Sequence, residues 1–268
     1  MSLEKHVLTT IDQRGVAWLT LNRPEVHNAF DDNVIGTLID ALTELDSNND
    51  VRVLILNSNG KNFSAGADLN WMRSMAEKNL AENLEDAGQL AELMRRLDKF
   101  SKPTIALVQG AAFGGALGLI ACCDMAVATT KASFCLSEVK IGLIPAAISP
   151  YVMRAIGEKA SRRYFLTAER FFAEQAHRLG LVNQLVEANE GNTALTDEAE
   201  KLITHLLNNS PAALTAAKSL IAAVAEKVID ETVIADTSRR IAEIRVSQEG
   251  QEGLTAFLNK RKPNWIKA

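Results

Sequence analysis

The sequence predicts an α/β fold that ends in a helical region. Short apolar runs typical of buried strands alternate with amphipathic helical patterns along the first part of the chain, whereas only helical patterns follow Leu195. The 268 residues are 47% hydrophobic and 23% charged, which is ordinary for a globular protein. We therefore expect a core over residues 1–195 that holds the functional site, and a helical C-terminal region over residues 196–268.

The chain is expected to open with a β-hairpin. Residues 6–11 and 16–21 alternate between apolar and polar side chains, and the turn signal of residues 12–15 separates them. Pro24 lies in the break that follows the second strand.

A helix capped by Asp31 or Asp32 is expected next. Apolar residues at helical spacing support it, namely Val34, Ile35, Leu38, Ile39, Leu42 and Leu45. Residues 53–56 then predict a buried strand, and residues 84–100 predict the following helix.

The central stretch of the chain contains a buried strand and a glycine-rich turn. Residues 104–108 form a short apolar run that ends before Gly110. Gly114 and Gly115 allow a sharp turn or the close approach of a ligand, since glycine has no Cβ. A short helix is expected from Gly115, packed through Leu117, Leu119 and Ile120. Its first backbone N–H groups lack intrahelical acceptors and lie at the positive end of the helix dipole, so they can hold an oxyanion.

The same stretch allows a second interpretation, a membrane span. Residues 105–123 are almost wholly apolar, and Gly114 and Gly118 form a small-xxx-small pattern. We favour a buried strand and helix, because Asp124 ends the run and the amphipathic helices elsewhere require a soluble core. No membrane contact is therefore expected.

Helical patterns dominate after Pro145. Helices are expected over residues 148–156 and 159–167, which Gly157 separates, and over residues 173–179, which Gly180 ends. One more strand is expected over residues 181–186. Four further helices complete the chain, over residues 196–207, from Pro211 onward, over residues 229–246 and over residues 251–259.

Charge and cysteine content restrict the possible classes of protein. The formal net charge of −4 argues against a general nucleic-acid surface. Cys122, Cys123 and Cys135 lie in the apolar centre with neither metal nor disulfide spacing, so a reducing cytoplasm is expected. No two histidines share metal-ligand spacing, and no metal is expected. The first residues lack the apolar run of a signal peptide, and the sequence leaves open whether residues 1–3 are native.

Two segments are suited to directing backbone N–H groups at a ligand. One is Ser-Ala-Gly-Ala-Asp at residues 64–68, and the other is the pair Gly114-Gly115. They are followed by a spaced pattern of Phe134, Glu138, Gly142 and Pro145. This combination resembles the crotonase (enoyl-CoA hydratase/isomerase) superfamily, and the resemblance extends from residues 22–29 to residues 257–263.

The resemblance implies a spiral of ββα units with a helical C-terminal region that mediates formation of a homotrimer, which can pair into a dimer of trimers. It implies coenzyme A thioesters as substrates, with no other cofactor. The N–H groups of Ala67 and Gly115 would form an oxyanion hole, and each such donor can supply roughly 3 kcal/mol of transition-state stabilisation. The residues implied in substrate or CoA binding are Val26, Asn28, Ala65, Asp68, Leu69, Asn70, Gly114, Gly118, Phe257 and Lys260.

One catalytic position departs from the typical hydratases of this superfamily, which carry two glutamates. The position three residues after the oxyanion-hole glycine is Gly118 here, and only Glu138 remains. Burial is expected to raise the pKa of Glu138 and to suit it to acid–base catalysis. A single carboxylate could move a proton between two carbons of a 3-enoyl thioester, or it could hydrate a 2-enoyl thioester.

A finer resemblance favours hydration. Residues 63–72, 112–124 and 136–152 are similar to bacterial methylglutaconyl-CoA hydratases of leucine and acyclic-terpene breakdown, in which the same glycine replacement is expected. Space left at Gly118 is expected to admit a branched or carboxylated acyl chain. A distal substrate carboxylate requires a cation, and the candidates are Arg73, Lys140 and Arg154.

RNA binding and non-catalytic CoA binding are two alternative functions. Some superfamily members are thought to bind RNA through a lysine-rich early helix, but residues 31–46 contain no Lys or Arg. Non-catalytic CoA binding is disfavoured because Glu138 accompanies both N–H segments. We therefore expect an acyl-CoA as the partner, and no nucleic acid.

Overall fold

The computed structural model describes residues 5–266 and confirms the predicted α/β class and the run of helices at the C-terminal end. The predictions about residues 1–3 lie outside the described residues. The strands are β1 (Val7–Ile11), β2 (Val16–Leu21), β3 (Val53–Ser58), β4 (Thr104–Val108), β5 (Ala111–Phe113), β6 (Met125–Thr129), β7 (Ser133–Cys135), β8 (Phe171–Phe172) and β9 (Gln184–Val186). The helices are α1 (Asp32–Ser47), α2 (Leu69–Glu77), α3 (Leu80–Asp98), α4 (Gly115–Cys122), α5 (Ser149–Thr167), α6 (Ala173–Leu179), α7 (Thr193–Leu207), α8 (Pro211–Val224), α9 (Glu231–Val246) and α10 (Gln248–Leu258).

The main sheet has the strand order β1-β2-β3-β4-β6-β9. β1 and β2 form the predicted antiparallel hairpin, and the remaining neighbours pair in parallel. Both faces of this sheet are covered, which explains why β4 is buried at every position. One face packs on residues of α1, α3, α4 and α5, and the other packs on α7.

A second, small sheet was not predicted. It has the order β5-β7-β8, in which β5 and β7 are parallel and β8 is antiparallel to β7. Each of its strands is two or three residues long, so no alternation of apolar and polar residues can develop. The sheet places the end of β5 directly before α4, which is where the glycine pair lies.

Several local boundaries differ from the predictions for identifiable reasons. α2 was missed, and its cap is Asp68, whose side chain accepts the N–H groups of Asn70 and Trp71. α3 begins four residues earlier than predicted, because Asn79 and Glu82 form a capping box. The break at Gly157 is confirmed, since this residue adopts a φ of 78° inside α5.

The apolar run of residues 105–123 is divided among three elements of the core. It supplies most of β4 and all of β5 and α4, and the membrane-span interpretation of this run is therefore wrong. Among residues 5–266, no helix has both the length and the apolarity needed to cross a bilayer.

The predicted boundary at residues 195 and 196 falls inside α7. Leu195, Ala199 and Ile203 of this helix are buried against Val53, Ile55 and other residues of the main sheet. We therefore propose that the core extends to the end of α7 and that the C-terminal region begins with α8, where Pro211 occupies the first helical position as predicted.

A cleft of about 810 Å³ lies where the C-terminal helices meet the core, and no candidate site residue lines it. Arg52 anchors this junction, because its guanidinium donates hydrogen bonds to the carbonyls of Leu207 and Asn209 at 3.3 and 3.0 Å. Burial lowers the pKa of Arg52. The junction is thus held by a cation of the core and by carbonyl groups at the end of α7 and in the segment that leads to α8.

Candidate active site

The glycine pair connects the small sheet to α4. Gly114 adopts φ 54° and ψ −124°, a conformation that disfavours any residue with a Cβ. Its N–H donates to the carbonyl of Cys135 in the neighbouring strand at 2.9 Å. Gly115 is the first residue of α4, and its N–H has no acceptor among the described residues. This donor is therefore available to a ligand.

The second predicted segment, residues 64–68, lies between β5 and Phe30. Ser64 pairs with Ala112 of β5 through its backbone, while Ala67 pairs with Phe30. The carbonyl of Gly66 accepts the Phe30 N–H at 2.8 Å. Because a trans peptide unit directs its N–H opposite to its C=O, the Ala67 N–H points away from Phe30. It too has no acceptor among residues 5–266.

Phe30 joins these two segments and was missed by the sequence analysis. Its backbone pairs with residues 66–68, and its ring lies 3.4 Å from the position that a Cβ on Gly115 would occupy. The residue is almost fully buried. The only signal in the sequence was a large apolar residue beside Asn28 and Ala29, which by itself indicates a core position.

Arg23 connects the loop around Phe30 to Asp68 at the start of α2. It was also missed as a site residue. Its guanidinium contacts the carboxylates of Asp31 and Asp68 at 2.9 and 3.2 Å, and it donates to the carbonyl of Ala29. Burial by itself would raise the pKa of Asp68, but the N–H groups at the start of α2 and the charge of Arg23 offset this, and the pKa is lowered. Asp68 is therefore an ionised helix cap, and its carboxylate already has partners.

Glu138 begins a short 3₁₀ turn, Glu138–Ile141, that follows β7. Its Oε1 lies 3.3 Å from the position of a Cβ on Gly114, so the carboxylate lies directly against the glycine turn. Its Oε2 is buried and has no hydrogen-bond partner among the described residues. Desolvation raises the pKa of Glu138, in part offset by its own backbone N–H. A carboxylate with a raised pKa beside the turn that leads into the Gly115 N–H can exchange protons with a bound molecule.

The expectation of open space at Gly118 is wrong. A Cβ at this position would collide with Cγ2 of Ile148 and would lie 2.8 Å from Sδ of Met94. Gly118 is itself buried within α4. The volume of the missing side chain is therefore filled by two apolar side chains from α3 and from the residue before α5, which the sequence pattern could not reveal.

The early loop residues implied in CoA binding have different surroundings. Asn28 is 2% exposed, and its side chain donates to the carbonyls of Asn59 and Asn62 at 2.8 and 2.9 Å and accepts the Arg23 N–H. These bonds use the whole amide, so Asn28 holds two loops together. Val26, by contrast, is only half-buried at the end of a 3₁₀ turn, Pro24–Val26.

The remaining predicted binding residues lie on the surface of the chain. Ala65, Leu69 and Asn70 are exposed around the start of α2. Phe257 is 81% exposed at the end of α10, and Lys260 follows it. Neither side chain of this pair makes a hydrogen bond or ion pair with a described residue, and α10 packs on α8 and α9.

The three candidate cations differ in their partners. Arg154 forms an ion pair with Asp98, and this pairing raises the pKa of the guanidinium. Arg73 donates to the side-chain oxygen of Asn70 at 2.7 Å. Lys140, two residues after Glu138, is exposed and forms no ion pair within the described part of the chain. Lys140 is thus the candidate with the fewest competing contacts.

The comparisons with known proteins agree with the fold. The family described as Enoyl-CoA hydratase/isomerase matches residues 12–268. A crystal structure of an enoyl-CoA hydratase from Shewanella pealeana superposes with a TM-score of 0.93 at 52% sequence identity, covering 97% of this chain and 96% of the other.

Two relatives span nearly the whole chain. A putative enoyl-CoA hydratase of Thermus thermophilus is 32% identical over 258 residues, 96% of this chain and 100% of that protein. The 2,3-dehydroadipyl-CoA hydratase of Escherichia coli is 33% identical over 255 residues, 94% and 96% of the two chains. The chain belongs to the enoyl-CoA hydratase/isomerase family, and its fold is the crotonase fold.

Proposed function

We propose that this protein adds water reversibly across the 2,3 double bond of an enoyl-CoA, with 3-methylglutaconyl-CoA as substrate and 3-hydroxy-3-methylglutaryl-CoA as product. The observation that carries the proposal is the position of Glu138, whose unpaired carboxylate lies against the turn that leads into the Gly115 N–H. The acyl-CoA is the substrate, and no further cofactor takes part.

In the proposed mechanism, the N–H groups of Ala67 and Gly115 hold the thioester oxygen. Both donors are free within the described chain, and the Gly115 donor lies at the positive end of α4. As water adds at Cβ, negative charge develops on the thioester oxygen as an enolate. Two preorganised donors stabilise this charge more strongly than the neutral carbonyl, which lowers the barrier.

Glu138 acts as the base and then as the acid. Its carboxylate takes a proton from water while the water oxygen bonds to Cβ, and the carboxylic acid returns that proton to Cα as the enolate collapses. Every atom of water enters the product. The raised pKa of Glu138 supports this role, because both its protonated and its ionised forms are then accessible.

The choice of a substrate with a distal carboxylate rests on the resemblance and on one relative. The 2,3-dehydroadipyl-CoA hydratase is named for an acyl chain that ends in a carboxylate. Lys140 supplies an unpaired cation beside Glu138, and exposed apolar side chains on the same loop, Ile141, Leu143 and Ile144, offer a surface for the acyl carbons.

Isomerisation of a 3-enoyl-CoA is the second candidate. One observation favours it, namely that the volume at Gly118 is filled by Ile148 and Met94, so no second carboxylate assists Glu138 there. The same Glu138 would then move a proton between two carbons of the acyl chain, without consuming water.

The deciding experiment measures the turnover of 3-methylglutaconyl-CoA, crotonyl-CoA and a 3-enoyl-CoA by the purified protein, with Glu138→Gln as the control. Preferred hydration of the branched substrate, lost in the variant, supports the proposal. Activity confined to the 3-enoyl-CoA makes the protein an isomerase. Activity that survives in Glu138→Gln removes Glu138 from the mechanism and revives non-catalytic CoA binding.

A homotrimer, alone or paired into a dimer of trimers, belongs to the same proposal. The C-terminal helices and their connections expose large apolar side chains that a monomer leaves in water, among them Ile221, Val228, Ile229, Phe257 and Leu258. Sedimentation of the purified chain checks it, and a monomer at micromolar concentration would contradict it.

A further inference from the structure

Gly118 lies in the middle of α4, where glycine requires an explanation. A glycine inside a helix is about 1 kcal/mol less favourable than alanine. Here the helix approaches two other elements so closely that a Cβ cannot fit. It would collide with Cγ2 of Ile148 and lie 2.9 Å from Cβ of the same residue, and Met94 Sδ would be 2.8 Å away. The identity of residue 118 is therefore set by its neighbours.

Ile148 reaches this position from the loop that carries Glu138. The carbonyl of Glu138 accepts the Leu143 N–H at 3.0 Å, which closes the first part of the loop. The loop ends at Ile148, which is 2% exposed and directly precedes α5. A single short segment thus carries both side chains. The carboxylate of Glu138 lies against Gly114 in the turn before α4, and Ile148 lies against Gly118 within α4.

The two contacts lie on neighbouring parts of the site. Gly118 follows Gly115 by three residues, so both lie on one side of α4. The three atoms nearest to a Cβ at position 118 are carbon and sulfur atoms of Ile148 and Met94, so a side chain that starts there meets apolar atoms, against which a carboxylate is costly to bury. These contacts therefore disfavour a second acid–base side chain at position 118.

We propose that Ile148, supported by Met94, determines that the site works with one carboxylate, and that residues 118 and 148 form a coupled pair. A side chain at position 118 requires that residue 148 lose its Cγ2 and that Met94 shift, because the Cγ2 atom makes the closest contact and Met94 Sδ would lie 2.8 Å away. Ile148 is in this sense a specificity-determining residue for the family reaction. The inference rests on the proposed function only in taking Glu138 as the proton carrier.

The test is a double-mutant cycle of Gly118→Glu and Ile148→Ala, measured by thermal unfolding and by crotonyl-CoA hydration across pH. Gly118→Glu alone is expected to lower the melting temperature by about 5 °C or more and to leave hydration low. The double variant is expected to regain part of that loss, because Ile148→Ala removes the closest atom, Cγ2, but leaves Cβ of residue 148 and Met94 Sδ near position 118. Its kcat should exceed that of either single variant by about 10-fold or more, with a second ionisation in the pH profile.

Two controls separate packing from chemistry. Gly118→Ala combined with Ile148→Ala should be more stable than Gly118→Ala alone, without the second ionisation. Gly118→Glu combined with Ile203→Ala, a buried position on the other face of the sheet, should restore nothing.

Gly118→Glu that is as stable and active as the double variant would overturn the proposal. So would a double variant whose two effects on the melting temperature simply add. A wild type that hydrates none of the substrates defeats the proposed function alone, because the melting-temperature cycle of Gly118→Ala and Ile148→Ala still measures the coupling.

Discussion

The Oε1 atom of Glu138 lies 3.3 Å from the position that a Cβ on Gly114 would occupy. A Cβ at this position would be in tight contact with the carboxylate, which would have to move, and Gly114 also has a φ of 54°. The absence of a side chain at 114 therefore leaves room for the Glu138 carboxylate beside the turn that leads into α4. We therefore expect the proposed catalytic arrangement to depend on this contact as well as on Glu138.

Gly114→Ala should reduce kcat/KM by about 100-fold or more, because the added Cβ displaces the carboxylate and strains the turn before Gly115. Steady-state kinetics on the preferred enoyl-CoA checks this. Gly142→Ala is a matched control, since Gly142 has a φ of 78° but no atom within 4 Å of an added Cβ. Equal losses in both variants would show that strain, and not the contact with Glu138, is responsible.

Glu138→Gln should make the protein more stable at neutral pH while abolishing catalysis. The pKa of Glu138 is raised in the folded state, so its ionisation disfavours folding. The difference should be near zero below the unfolded pKa, near 4.5, should grow as pH rises from there to the raised folded pKa, and should be constant above it. About 1 kcal/mol, or 2 to 4 °C in melting temperature, is expected at pH 8.

Thermal unfolding of both proteins at pH 4 and pH 8 measures this difference. The wild-type activity should fall as pH decreases through the same raised pKa, because the ionised form takes the proton from water. A variant that is less stable than wild type at pH 8 would mean that Oε2 has a favourable partner in the protein.

Arg23→Gln should lower the free energy of unfolding by about 3 kcal/mol, because Asp31 and Asp68 would each keep a largely buried charge with no cation. Chemical denaturation measures this loss. Arg163→Gln provides the control, since its pair with Glu169 is exposed and should contribute less than about 1 kcal/mol. Activity of the folded Arg23 variant should also fall, as residues 66–68 lose their support.

Lys140→Met should raise KM for 3-methylglutaconyl-CoA by about 10-fold and leave crotonyl-CoA unaffected, because only the first substrate has a distal carboxylate. The ratio of kcat/KM for the two substrates is the measurement. Arg154→Met, whose guanidinium already pairs with Asp98, should leave that ratio unchanged. A changed ratio in Arg73→Met but not in Lys140→Met would assign the carboxylate to α2 instead.

Most helices and strands could be predicted from the sequence alone. So could the glycine pair and Glu138 of the candidate site. Long helices such as α1 were predictable because their apolar stripe and cap are local features, and Asp31 is indeed the cap. Gly180 ends α6 as expected. The motif around Glu138 and the glycine pair also identified the family, since each consists of a few residues at fixed spacing.

The surroundings of those residues became known only from contacts between elements that are distant in the sequence. Ile148 fills the volume at Gly118, Phe30 joins the two N–H segments, and Asp98 pairs with Arg154, although each pair is distant in sequence or lies on different elements. The small sheet likewise exists because its short strands find each other in space. The pattern along a chain records which face of an element is buried, whereas the neighbour that it meets depends on packing across the whole core.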